Sequence, residues 1–123
     1  MPETSPSSEA LHTQLAHLPG VEAVLWSGGD LGQGAEGSLS PGEIESTRSW
    51  LRILSATSTR MCEELDHGAP RLLTLSCDDR LIALACDPVG AFVAVIASDS
   101  SVMGLAVAKL RSWIQTRREG DNS

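Results

Sequence analysis

The chain has 123 residues, enough for one domain that buries about two thirds of its unfolded surface without disulfide or metal staples. Its formal charge of −7, from nine basic and sixteen acidic side chains, argues against nonspecific binding to nucleic-acid backbones, which requires clustered cations. With 41% hydrophobic residues but only 3% aromatic ones and no Tyr, the core has to be aliphatic.

The first ten residues, "MPETSPSSEA", are polar and acidic, unlike a signal peptide. Residues 1–6 read as a disordered N-terminus, followed by one domain over 7–118 and a disordered 119–123. A short first helix starts after Ser5 or Ser7, with Leu11, Leu15 and Leu18 on one stripe. Pro19-Gly20 stops it. "VEAVLWS", Val21 to Ser27, is short and rich in β-formers and reads as a strand. A glycine-rich segment follows, in which "AEGSL" holds at most a weak strand.

Ser40-Pro41-Gly42-Glu43 predicts a capping box, with Ser at the N-cap, Pro at N1 and Glu at N3. The helix it opens runs to about His67, where Gly68 and Pro70 end it. Ile44, Leu51, Leu54, Met61, Cys62 and Leu65 share one face of that helix. Trp50, Ile53 and Ala56 lie about 90° or more away from the centre of that face. Two readings stay open for this second set: a surface that meets a partner, or a rim over the chain's own core.

Three strands follow. "RLLTLSC" alternates, placing Leu73, Leu75 and Cys77 opposite Leu72, Thr74 and Ser76. "RLIALAC" and "AFVAVIA" are apolar on both faces and must be covered on both sides. The turns between the three, Asp78-Asp79 and Asp87-Pro88-Val89-Gly90, are too short for anything but antiparallel pairing. "SDSS" then supplies N-caps for a last helix striped by Met103, Ala106, Val107, Leu110, Trp113 and Ile114. Lys109, Arg111, Arg117 and Arg118 all lie on it, where cations complement the helix dipole near its C-terminus. The order is α-β-(β)-α-β-β-β-α, which implies an α/β three-layer sandwich.

Little in the chain carries catalytic chemistry. Gly32-Gln33-Gly34-Ala35-Glu36-Gly37 matches G-x-G-x-x-G, but the helix opens only at Pro41. Asp30 and Glu36 would repel phosphates there, and no Lys or Arg precedes residue 48. His12, His17 and His67 are scattered, with His12 and His17 reading as surface residues. Cys62, Cys77 and Cys86 are an odd count without C-x-x-C, and all fall on apolar patterns, so they read as small buried hydrophobes. No nucleophile signature links a Ser to a His. The expectation is a non-enzymatic, cytoplasmic protein with reduced thiols, no cofactor, no metal, no nucleic-acid partner and no insertion into a membrane.

Two stretches carry a family likeness. "LPGVEAVLWS" with its glycine turn resembles the first strand of the roadblock/LC7 family. "RLIALACDPVGAFVAVIASDSSVMGLAVAKLRSWI" resembles that family's C-terminal half, including the Gly-Leu-x-x-x-Lys-Leu pattern at Gly104, Leu105, Lys109 and Leu110. The resemblance implies a five-stranded antiparallel sheet in order 2-1-5-4-3, with the long helix on one face and the terminal helices on the other. It implies a homodimer joined through the long helix and the third strand. Trp50, Ile53, Ala56, Thr57 and Arg60, with Leu72, Thr74 and Ser76, would then form the interface. It also implies a small Ras-like GTPase as partner. Two readings are open for Arg48, Arg52 and Arg60: contact with an acidic surface of that partner, for which Arg48 and Arg52 are the candidates, or solvated charge, the commoner outcome. One departure is plain: the family's second strand is usually an apolar run, and here "GQGAEGSL" stands in its place, which leaves open whether that edge forms. The alternative from another class is a small-molecule-sensing domain of PAS-like or profilin-like architecture.

Overall fold

The computed structural model describes residues 8–28, 32–66, 68, 71–87, 90–98 and 100–122. These form α1 (Ser8–Ala16), β1 (Val21–Ser27), β2 (Gln33–Gly37), α2 (Pro41–Glu64), β3 (Leu72–Ser76), β4 (Leu81–Cys86), β5 (Phe92–Ala97) and α3 (Ser100–Asn122). The strands make one antiparallel sheet in order β2-β1-β5-β4-β3. Consecutive strands β3, β4 and β5 are hairpin neighbours, and β5 returns to pair with β1 at the centre.

The alternation of side chains along each strand sorts the sheet into two faces. Val24, Ala83, Ala85, Val93, Val95 and Ala97 pack with Leu15 of α1 and with Val102, Met103, Ala106, Leu110, Trp113 and Ile114 of α3. Leu84, Cys86, Phe92 and Ala94 pack with Leu51 of α2. Ala23, Leu25 and Ile96 continue that second layer beneath Ile44 and Leu39. The three-layer arrangement expected from the doubly apolar strands is therefore present, with α2 on one face and the terminal helices on the other.

Local signals set most element ends. The capping box forms as read: the Glu43 amide donates to Ser40 Oγ at 3.2 Å, and the Ser40 amide donates to Glu43 Oε1 at 2.9 Å. The Cys77 amide donates to the Arg80 carbonyl at 2.8 Å, which closes the two-residue Asp78-Asp79 turn. At the other hairpin Asp87 Oδ1 accepts the Ala91 amide at 2.8 Å, and Oδ2 accepts Arg117 Nη2 at 2.6 Å and Nε at 3.1 Å. The β4–β5 turn is thereby tied to the C-terminal half of α3.

One open point is decided, and other expectations change. The glycine-rich segment does form a strand: β2 pairs with β1 from Ala23↔Gly37 to Ser27↔Gln33. Its glycines are sites of close approach. A Cβ at Gly34 would lie under 3.0 Å from the Trp26 indole, and one at Gly37 would lie under 3.0 Å from Ala23 Cα at a φ of +128°. The long helix ends at Glu64 with Leu65 as C-cap; His67 and Pro70 lie outside the described residues. The last helix continues through 119–122, which the composition "EGDN" had suggested would be disordered. Residues 1–6 and 123 lie outside the described residues, as do both expected N-caps of the first helix. Gly104 faces open space on the outside of α3.

The inward face of α2 also differs from the apolar stripe. Arg48, Leu51 and Ser58 are its buried residues, whereas Met61 and Leu65 are 57% and 56% exposed. Length accounts for this. A 24-residue helix is about 36 Å long. Five strands about 4.8 Å apart, five to seven residues long, give a sheet only about 20 Å on a side. α2 is buried as far as Ser58, and its last turns run beyond the sheet.

Candidate partner-binding surface

Trp50 is 67% exposed and Ile53 is 53% exposed, so neither covers the rim of the chain's own core. Ala56, Thr57 and Arg60 are exposed with them on the outer side of α2. Arg60 Nε lies 3.9 Å from Glu64 Oε2, a surface pair of little energetic weight. Met61 and Leu65 extend the apolar surface past the end of the sheet. Scattered single hydrophobes are ordinary on a surface, but three large ones on one helix with a fourth at its C-cap, all within 16 residues, are a patch.

One edge of the sheet is β3, which pairs only with β4 among the described residues. The Cys86 amide donates to the Arg71 carbonyl, and the Cys77 amide donates to the Arg80 carbonyl. Antiparallel ladders alternate, so the odd-numbered residues of β3 bond to β4. The N–H and C=O groups of Leu72, Thr74 and Ser76 therefore point outward along the sheet edge. Their side chains turn toward the face of the terminal helices, where Leu72 packs against that core and Thr74 and Ser76 are exposed. Leu75 is exposed on the α2 side. The outer face of α2 thus offers apolar side chains, and the β3 edge offers a row of main-chain donors and acceptors that pair with no strand among the described residues. Such features can bind another polypeptide by packing and by strand addition.

The arginines divide. Arg60 is at the surface. Arg52 is exposed, and its Nη2 lies 3.4 Å from both Ser27 Oγ and Gln33 Oε1. Arg48 does not fit the role of a partner contact. It is 3% exposed, its Nη2 donates to the Gly34 carbonyl at 2.9 Å, and its Nη1 donates to Glu45 Oε2 at 3.2 Å. Its position gave a usable signal: four residues after Ile44 and three before Leu51, it belongs to the inward stripe.

Two other groupings escaped the sequence reading. His12 is not a simple surface residue: its ring stacks on Trp26 with centroids 3.7 Å apart and an 11° tilt. Its Nδ1–H donates to Glu36 Oε1 at 2.9 Å, which joins α1 to β2. The cysteines also separate by environment. Cys86, the last residue of β4, is buried, Cys62 is half-buried, and Cys77, one residue past β3, is exposed. Burial pushes the Cys86 thiol above its ordinary value, against a smaller opposing effect of the Ser55 hydroxyl 3.5 Å away. Among the described residues no group of His, Cys, Asp and Glu is placed to hold a metal ion, and no helix is long and apolar enough to cross a membrane.

The sheet order, the long helix on one face and the paired terminal helices on the other define the fold of roadblock/LC7 domains. Comparison with solved structures agrees. A Roadblock/LC7 domain from Streptomyces avermitilis superposes with a TM-score of 0.67 at 19% identity, over 93% of this chain and 97% of that one. MglB from Myxococcus xanthus gives 0.69 at 9% identity, over 89% and 94%. The gliding protein MglB from Thermus thermophilus gives 0.69 at 8% identity, over 97% and 96%. No family model and no curated protein matches the sequence.

Proposed function

We propose that this chain is a non-enzymatic roadblock-type scaffold that forms a homodimer and binds a small Ras-like GTPase. The observation that carries the reading is the exposure of Trp50 and Ile53 on α2, together with a β3 edge whose Leu72, Thr74 and Ser76 main chain points outward. A second copy related by a two-fold axis supplies the same surface in return, so helix packs on helix and edge strand meets edge strand. The sheet then runs through both copies and the exposed β3 edge disappears. The fold supports the GTPase part by resemblance, and the MglB structures include one described as having a tetrameric arrangement.

Once Arg48 is set aside, the cationic groups of α2 left for a partner are Arg52 and Arg60. A ligand-sensing pocket gains no support, since Leu51, Leu84, Phe92 and Ala94 fill the layer between α2 and the sheet. The test has two arms. Light scattering at micromolar concentration is expected to give twice the chain mass, and a monomer overturns the dimer. Affinity capture from the native lysate, in the presence of GTP or of GDP, is expected to retain a small GTPase. A dimer that retains none in either state overturns the partner while leaving the assembly standing.

A further inference from the structure

Strand β2 does not hold itself. Two of its five residues are glycine, none is β-branched, and it borders β1 on one side only. The tethers that fix it come from the helices. Arg48 reaches from α2 to the Gly34 carbonyl, and Arg52, one turn later, reaches Gln33 and the Ser27 hydroxyl. From the opposite face His12 of α1 holds Glu36. The Arg48 contact is the costly one to keep, because its buried Nε meets no acceptor among the described residues.

We propose that Arg48 and Arg52 form a latch that makes strand β2 conditional on the seating of α2. With the latch closed, β2 is the outer strand of the sheet. With it open, β2 peels from β1 while the β1–β5–β4–β3 sheet stays folded. The latch residues flank Trp50 by two positions on either side, so a movement of α2 that tilts Trp50 outward also draws both guanidinium groups from the hairpin. The β2 edge is in this way mechanically linked to the outer face of α2, whatever that face binds. Arginine suits the role because one guanidinium bonds the Glu45 carboxylate and the Gly34 carbonyl together, which a lysine point charge cannot do with the same geometry.

Amide hydrogen exchange on the full chain tests this. The alternation of the β1–β2 ladder, anchored by the Gly28–Gly32 and Glu22–Ser38 bonds, directs the Gly34 and Glu36 amides at β1. In Arg48→Met with Arg52→Ala these two amides are expected to exchange at least tenfold faster, with the β5 and β4 amides unchanged. Arg48→Lys is expected to restore protection only in part. Unchanged β2 protection in the double variant overturns the latch. Should the Arg48 replacement unfold the whole sheet, the exposed pair Arg52→Ala and Gln33→Ala decides: each is expected to speed β2 exchange alone, and no change in either overturns the proposal.

Discussion

At the scale of single residues, small side chains here are set by what presses on them. Trp26 lies between the His12 ring on one side and the bare Gly34 backbone on the other. Any Cβ at residue 34 displaces the indole or the strand. Gly34→Ala is therefore expected to lower stability by about 1–3 kcal/mol, the usual cost of overpacking. The urea midpoint measures this, and a shifted Trp emission is expected with it. The thiols offer a second prediction. Cys77 is expected to alkylate first and Cys86 only on unfolding, read by mass spectrometry. The raised Cys86 value also has a pH consequence. An acid whose folded value exceeds its unfolded value, ordinarily 9.0, adds stability that is complete below pH 9 and is lost as pH rises through the folded value. The denaturation midpoint is expected to fall above pH 9, and to fall less steeply in Cys86→Ala.

Elements show how local and distant forces share the work. The capping box of α2 is local: Ser40 and Glu43 satisfy each other's amides before any packing is considered. Ser40→Ala is expected to cost about 1 kcal/mol and leave the fold intact, measured by urea denaturation. The β4–β5 hairpin is held from afar. The Asp87 carboxylate is buried, and it closes the turn through Ala91 while accepting Arg117 from α3. Arg117 also lies 5.2 Å from the Trp113 ring centroid. Asp87→Ala frees the turn amide and takes from Arg117 its carboxylate together. It is expected to cost about 3 kcal/mol, in the range for breaking a buried pair, and to loosen the C-terminal half of α3 in hydrogen exchange.

For the whole molecule the decisive feature is a helix longer than the sheet beneath it. The excess puts Met61 and Leu65 in water beside Trp50 and Ile53. Trp50→Glu places a charge at the centre of that surface without touching the core. It is expected to leave the denaturation midpoint of the isolated chain within about 0.5 kcal/mol and to halve the mass seen by light scattering. A variant that unfolds instead would show that Trp50 supports its own chain.

The sequence by itself determined the element order, the antiparallel pairing, the two-sided burial of β4 and β5 and the start of α2. Each of these is written in residues near one another: short turns, a 2- or 3.6-residue period, a Ser-Pro-Gly-Glu cap. It also marked Trp50 and Ile53 as lying off the core stripe, which periodicity alone shows. Only the tertiary structure decided that a glycine-rich segment is a strand, that Met61 points out, and that His12 belongs to a stack. Those outcomes have no local pattern. β2 is a strand because β1, Trp26, Arg48 and His12 converge on it from elements far apart in the chain, and glycine is the residue that lets them come so close.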